Sequence, residues 1–462
     1  MIRRDQNHCG DIVNVSLNTN DFRIAKFSRQ LMILVLATSL SVNAASVIGS
    51  KPVKNSTAGV LTLAMAVDRA VVNNPGLLQM EARFRALQEI PSQQGSLPDP
   101  VLSLNALNLP SDTFHVGQEP MTQMQIGLSQ AFPFPGKLAL REEVSTFEAQ
   151  AAGYSADEAR LGLISQVKIT WWQLYYLDRA LIIIDVNQNF LRNFAQVAKT
   201  RYEVADGRQQ DVLLAQLEVS KLLDEKIQLR ALRRNQAIEL NLLMDRPVEA
   251  VISLPDIAAE DMPDIAAEAI LHQQAQSHRP LLQAMEKRVD AAKSRVALAK
   301  KDYYPDFKIG MAYGDRRGEN PGPQGGSRDD FVSLMFSVNL PLRTASRQSK
   351  ALSQRTEELI GNRYALQDRS SLVRSRISLA STDYQRARQQ FSLFKTGIVP
   401  QAQQTVASML AAYRVDEVDF LNLVRSQVTL FNYQLRYWRA LSDANQALAR
   451  LVAATGGENI YE

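Results

Sequence analysis

Residues 202–216 read YEVADGRQQDVLLAQ, and residues 413–427 read YRVDEVDFLNLVRSQ. Both stretches begin with tyrosine, contain three acidic residues and end with glutamine. Further residues match upstream at a nearly constant offset. The pairs are Pro75 with Pro280, Leu77 with Leu282, Pro100 with Pro305 and Pro135 with Pro341. Matches that keep the same order along the chain indicate an internal duplication.

Four candidate strands show period-two alternation of apolar with small or polar residues. They lie at 101–108, 123–132, 307–314 and 332–340. In the first, Leu102, Leu104 and Ala106 alternate with Ser103 and Asn105. Such strands fit either two soluble hairpins or transmembrane β-strands with an apolar outer face and a polar inner face.

Long amphipathic helices follow each strand pair. Residues 137–202 contain no proline, and their apolar residues recur at alternating spacings of three and four, as in a coiled coil. An unbroken helix of this length spans roughly 100 Å. A return helix is predicted at about 209–244. The second copy repeats the pair from residue 346, with a predicted break at 397–400 and a final helix that carries the same spacing.

The amino terminus has the pattern of a secretory signal peptide. Arg23, Lys26 and Arg29 precede an apolar run at 31–42, and small residues follow it. A membrane anchor is the alternative, but twelve residues are too few for a helix that spans a bilayer, which needs about 20. The single cysteine, Cys9, lies before the run, so disulfides and thiolate metal sites are not expected in the mature chain.

Export and alternating strands together favour the outer membrane. An open sheet edge in lipid would leave backbone groups without hydrogen-bond partners. Bacterial barrels begin at about eight strands, so four strands cannot close alone. If these strands cross a membrane, at least two chains must share one barrel. The net charge of +4 gives no basic footprint for nucleic acid, so none is expected as a partner.

These features predict a duplicated domain plan. The segments are a signal peptide at 1–44, a first repeat at 45–244, a linker at 245–263, a second repeat at 264–455 and a tail at 456–462. Within the repeats, the strand pairs are predicted at about 101–132 and 307–341, and the helical hairpins at about 137–244 and 346–455.

On the paired motifs at 202–216 and 413–427, the chain resembles the TolC-type outer-membrane channel proteins. The stretches LPDPV (97–101), FPFPGK (132–137) and VDFL (418–421) are most similar to the branch that serves heavy-metal cation efflux. The resemblance implies a mainly α fold with membrane β-strands, in which a homotrimer forms a twelve-stranded β-barrel on an α-helical barrel. It also implies an exit duct of a tripartite efflux system of the resistance-nodulation-division (RND) class. That duct would lie in outer-membrane lipid, extend into the periplasm, and work with a periplasmic adaptor and an inner-membrane pump.

In this family the helix turns form the periplasmic tip and gate. The candidate tip residues here are Asp206, Asp211, Asp416, Glu417, Asp419, Asn422 and Arg425. The family's usual tip glycine is replaced by Ala205 and Asp416, and Asn422 and Arg425 stand where several members have acids. Acids in a narrow pore would favour cations and oppose closure unless Arg425 pairs with them. The alternative is a solvated acidic turn without a gating role.

Catalytic signatures are absent from the sequence. No nucleophile triad, phosphate-binding loop or metal-ligand spacing is present, so neither an enzyme nor a cofactor is expected. His115 near Met121 and Met124 is not assigned as a metal site. The aromatic residues Trp171, Trp172, Tyr175 and Tyr176 are expected to pack rather than to bind a ligand.

Two other functions fit parts of the pattern. The outlet of a type I protein secretion system would use the same architecture. A periplasmic coiled-coil adaptor or scaffold without a pore is the alternative from another class, but it would contain one helical hairpin flanked by halves of a β-domain.

Overall fold

A computed structural model describes residues 59–323, 325–457 and 460–461. The predicted signal peptide and Cys9 lie outside these residues. The helices are α1 (Leu63–Asn73), α2 (Pro75–Gln88), α3 (Ile90–Gly95), α4 (Lys137–Glu203), α5 (Gln209–Leu243), α6 (Glu268–His278), α7 (Pro280–Lys301), α8 (Gln348–Leu393), α9 (Val399–Arg414) and α10 (Phe420–Thr455). The strands are β1 (Val101–Leu107), β2 (Gln123–Phe132), β3 (Phe307–Asp315) and β4 (Phe331–Val338). The prediction of a mainly helical chain with four strands is confirmed.

The duplication is visible in the lengths of the elements. Helices α1 and α6 have 11 residues each, and α2 and α7 both begin at a proline, which is favoured at the first helical position. Helix α4 has 67 residues. Its counterpart consists of α8 with 46 residues, a π-helical turn of 5 and α9 with 16, so the two arms are equally long.

The predicted break at 397–400 is wrong. The chain stays helical through this region and contains a π-helical turn at Phe394–Ile398. The reason is Pro400, which has no backbone N–H and whose ring would clash with the carbonyl of Thr396 in a regular α-helix. A π turn relieves this conflict within a continuing helix. The chain therefore changes its hydrogen-bond pattern for one turn and stays helical from α8 into α9.

The four strands form one antiparallel sheet in the order β1-β2-β3-β4. Leu102 pairs with Leu128, Leu128 with Met311, and Met311 with Leu334, so one row of apolar side chains crosses the whole sheet. Because paired residues share a face, the neighbouring row Ser103, Gly127, Ala312 and Ser333 lies on the other side. Within the described residues, β1 and β4 each have one strand neighbour and an open edge.

Helix α4 is the central support of the fold, since α5, α7 and α10 all pack on it. At its middle, Trp171 stacks on Tyr175 with ring centroids 5.5 Å apart, and Trp172 meets Tyr175 edge-on. All three side chains are buried in a hydrophobic cluster. These aromatic residues therefore pack between helices, as the sequence predicted.

The segments between and after the repeats are packed rather than loose. Ile252 is buried in the same cluster as Trp171, and the Ser253 carbonyl accepts a hydrogen bond from the Leu61 amide at 2.7 Å. Near the carboxyl end, Ile460 is fully buried, and its carbonyl accepts from the Ala266 amide at 2.9 Å. Both ends of the second repeat are thus anchored to the helical core.

None of the helices in the described residues has both the length and the apolar character needed to cross a membrane.

Candidate functional site

The two helix turns singled out by the sequence have the same backbone geometry. Ala205 and Asp416 occupy equivalent positions and both are left-handed, with φ of 64° and 63°. The Asp206 amide donates to the Arg201 carbonyl at 2.8 Å, and the Glu417 amide donates to the Ala412 carbonyl at 3.0 Å. This is the Schellman ending of a helix, which normally places glycine at the left-handed residue. In both turns a residue with a side chain, Ala205 or Asp416, therefore occupies the position at which glycine would be least strained.

The acidic candidates meet around one cavity of about 320 Å³ between these turns. Its acidic lining residues are Asp206, Asp211, Asp416, Glu417 and Asp419. The structure thus brings together acids from the two repeats, more than two hundred residues apart in sequence. Asn422 and Arg425 do not line this cavity.

Arg201 is the cation that joins the two turns. Its Nε lies 3.2 Å from Asp206 Oδ2, and its Nη2 lies 3.3 Å from Asp416 Oδ1. The guanidinium also lies over the ring of Tyr413, 5.1 Å from the centroid. A hydrogen bond with the Tyr413 side chain, supported by the two carboxylates, raises the pKa of Arg201. One side chain of the first repeat therefore contacts both residues that flank the second helix ending.

Arg425 does not make the pairing proposed for it from sequence. It lines a neighbouring cavity of about 650 Å³ between α4, α5 and α10, together with Glu218 and Glu225. Asn422 is exposed, and its backbone N–H donates to Asp419 Oδ1 at 3.0 Å. Asp419 is therefore the N-cap of α10, a structural role that accounts for one of the acidic candidates.

Asp211 has the most distinctive electrostatic environment among the acidic candidates. It lies in the first turn of α5, where a carboxylate is favoured by the helix dipole. Burial nevertheless raises the pKa of Asp211, and the charge of Asp419 adds to the effect, while Arg208 opposes it. The charge of Asp419 thus disfavours the ionised form of Asp211.

A second candidate surface is the apolar face of the sheet. Its side chains are largely exposed in the single chain: Leu104 by 75%, Leu334 by 82% and Phe336 by 67%. A contiguous apolar surface of this kind is normally covered by a partner or a membrane. The opposite face carries small and polar residues such as Ser103 and Gln125, as the period-two pattern requires.

The sheet is joined to the helices by an ion pair network around a buried lysine. Lys137, the first residue of α4, is 3% exposed. Its Nζ lies 2.9 Å from Asp306 Oδ1 and 3.3 Å from Asp302 Oδ1. The Phe134 amide also donates to Asp306 Oδ1 at 2.8 Å. These contacts thus connect the start of α4 in the first repeat to the segment between α7 and β3 in the second.

The surroundings of His115 do not indicate a metal site. The described residues contain no group of three or more His, Cys, Asp or Glu side chains placed to hold a metal ion. His115 accepts a hydrogen bond from the Gly117 amide through Nδ1 at 3.3 Å, within its own loop. This hydrogen bond joins residues two positions apart and stabilises the turn of the loop.

Part of the chain matches a known protein family, and the whole fold is similar to solved structures. Residues 271–457 match the outer membrane efflux protein family. This match covers less than half of the chain and is in line with the predicted outer-membrane location and transport role. The comparison with curated proteins gives no significant match.

Solved structures of outer-membrane channels share the fold. The channel OprN is similar with a TM-score of 0.71 and 18% identity, covering 86% of this chain and 90% of that one. VceC from Vibrio cholerae has the same TM-score and identity, with 86% and 96% covered. The open-state MtrE channel of Neisseria gonorrhoeae has a TM-score of 0.72 at 14% identity, with 86% and 89% covered.

Proposed function

We propose that three copies of this chain form an outer-membrane channel that serves as the exit duct of a tripartite efflux system of the RND type. The observation that carries the proposal is the open four-stranded sheet with one exposed apolar face. Its strands have 7 to 10 residues, close to the length of transmembrane β-strands. Three such sheets joined at their edges give a closed barrel of twelve strands, which satisfies every strand edge.

The helices supply the second half of the duct. Two arms of 67 residues each extend roughly 100 Å, a length suited to a conduit across the periplasm rather than to a compact domain. The periplasmic adaptor and inner-membrane pump are expected to meet the duct at the turns around Arg201. In this arrangement the chain provides a passive path and its partners supply the energy.

For the substrate we propose heavy-metal cations. The supporting residues are the stretches 97–101, 132–137 and 418–421, together with the acidic cavity at the helix turns. Carboxylates repeated around a threefold axis would raise the local concentration of cations at the entrance. The duct itself needs no resident metal site for this role.

Conductance in a planar lipid bilayer tests the channel. The purified complex should give discrete ion currents, whereas a coiled-coil scaffold gives none. A deletion strain should then lose tolerance to metal salts and regain it with the intact gene. If instead the strain tolerates metals normally but retains a secreted protein inside the cell, the type I secretion outlet is the correct function.

For the turns we propose that Arg201 holds the entrance closed by linking the two helix endings. Arg201→Gln removes both ion pairs while keeping a side chain of similar length. The variant should open more often or conduct more, and Arg425→Gln, a matched change outside the cavity, should behave like the wild type. Equal conductance in all three proteins would assign Arg201 a purely local role.

A further inference from the structure

A group of lysine and aromatic side chains lies where the strands enter the helices. We define this lysine–aromatic rim as Phe134, Lys300, Lys301, Tyr304 and Phe307. Phe134 stacks on Tyr304 with ring centroids 4.5 Å apart and an interplanar angle of 15°. Lys301 Nζ lies 5.4 Å from the centroid of Phe134 and 5.9 Å from that of Tyr304. The Lys301 ammonium therefore lies over both rings at cation–π distance.

The rim borders the exposed apolar face of the sheet. Phe307 is the first residue of β3, and its ring stacks on Phe336 at a centroid distance of 6.2 Å. Phe336 belongs to the apolar face and is 67% exposed, and Tyr304 is 51% exposed. Aromatic side chains in this position are typical of the level at which a membrane meets water. The rim thus marks the end of the apolar face on the helix side.

The charges of the rim are uncompensated. Among the described residues, no carboxylate lies within 4.0 Å of the ammonium group of Lys300 or Lys301. The nearest acids along the chain, Asp302 and Asp306, are instead within ion-pair distance of Lys137. Directly after β4, Arg343 and Arg347 are exposed as well. The surface beside the aromatic rings is therefore cationic.

We propose that the lysine–aromatic rim binds the phosphate of an anionic phospholipid headgroup in the membrane leaflet that faces the periplasm. The inference rests on the proposed function, which places the apolar face in lipid. Aromatic rings would lie at the headgroup level, with the ammonium groups of Lys300 and Lys301 directed to the phosphate. Cations at a membrane surface favour anionic over zwitterionic lipid.

Native mass spectrometry of the detergent-purified trimer tests this binding. The probes are phosphatidylglycerol and phosphatidylcholine with the same acyl chains, added at equal concentration. The wild type should retain more phosphatidylglycerol. Lys300→Gln/Lys301→Gln should reduce that preference by roughly 25-fold, since each lysine near a membrane surface contributes a factor of about five. The matched control is Lys287→Gln/Lys293→Gln, which removes two lysines nearer the amino-terminal end of α7. This variant should keep the preference.

Three outcomes would overturn the inference. The wild type could retain both lipids equally, or the control could lose as much preference as the rim variant. Alternatively, the rim variant could dissociate into monomers, which would assign these lysines to contacts with a second copy of the chain. A trimer that conducts ions but shows no lipid preference would reject the lipid site and leave the channel proposal intact. Loss of conductance in the wild type would reject the channel itself.

Discussion

One residue in each helix turn has a strained backbone conformation, and the two residues lie at matching positions of the repeats. Ala205 and Asp416 adopt a left-handed backbone at matching positions. For residues with a Cβ this conformation costs roughly 1–2 kcal/mol relative to a right-handed helix. The matched turns show that strain is retained in both repeats, although glycine would relieve it.

Ala205→Gly should therefore stabilise the first turn by about 1 kcal/mol. The exposed residue Ala231 lies inside α5, where Ala231→Gly should destabilise the helix by about the same amount. Hydrogen exchange of the amides around residue 205 in the detergent-solubilised protein measures the first effect. Faster exchange in Ala205→Gly than in the wild type would show that the left-handed turn is not strained.

Asp211 predicts a pH dependence at the same site. Burial raises its pKa, so the folded state favours the protonated carboxyl. The stability that this group contributes is present below the ordinary aspartate pKa of about 3.9 and is lost as pH rises through the raised value. Asp211→Asn should therefore melt at a higher temperature than the wild type near pH 7, and the difference should shrink in acid.

Circular dichroism melting curves between about pH 4 and pH 7.5 measure this dependence. Asp224→Asn, which removes an exposed carboxylate from the same helix, controls for the loss of one charge. A constant difference between Asp211→Asn and the wild type across this range would contradict the assignment.

Sequence reasoning found the acids of the site but not Arg201. The pattern at 202–216 begins one residue after it, and the matching position in the second repeat is Ala412, so the duplication does not mark it. Its partners Asp416 and Tyr413 belong to the other repeat, and no local pattern reports a contact across that distance. Arg425 carried the same charge within the recognised motif but points to a different cavity.

Between elements, a buried polar pair links α4 to α10. Gln427 Nε2 donates to Asn187 Oδ1 at 2.6 Å, and Asn187 Nδ2 donates to the Ile183 carbonyl at 2.8 Å. The two side chains are only 7% and 2% exposed. Two buried polar side chains between helices can hydrogen-bond to each other at only one alignment of the helices. This pair therefore fixes the register of α10 along α4.

Asn187→Leu should destabilise the protein by about 1–3 kcal/mol, because it leaves the Gln427 amide buried without this partner. Combining it with Gln427→Leu should recover most of that loss, since an apolar pair needs no hydrogen bond. Chemical denaturation of the detergent-solubilised protein gives both values. If the double variant were no more stable than Asn187→Leu alone, the pair would not be coupled in this way.

The spacing of the apolar residues and the positions of the prolines were sufficient to predict the strands and the long helices. Alternation in the strands and heptad-like spacing in the helices both follow from burial of one face of the element. The π turn could not be predicted in the same way. Pro400 correctly signalled a disturbance, but whether a helix breaks or adapts depends on its neighbours. Here Phe391 stacks on Tyr437 of α10, and Lys395 pairs with Glu260, so contacts on both sides hold the helix in place.

At the scale of the whole molecule, the apolar face of the sheet decides the environment of the chain. Leu334 lies on that face and Ser333 on the opposite one. An arginine on the lipid side near the middle of a bilayer costs about 2–4 kcal/mol, whereas a lumen position tolerates charge. Leu334→Arg should therefore reduce the amount of assembled protein in the outer membrane, and Ser333→Arg should not. Equal loss in both variants, measured by membrane fractionation, would argue against a lipid-facing surface.

The number of chains in the assembled particle tests the central claim most directly. Light scattering of the complex extracted from outer membranes, with the detergent contribution subtracted, gives the protein mass. The shared barrel predicts three chains of 51.6 kDa each, less any signal peptide removed on export. A soluble monomer would leave both sheet edges and the apolar face uncovered, and would contradict the channel.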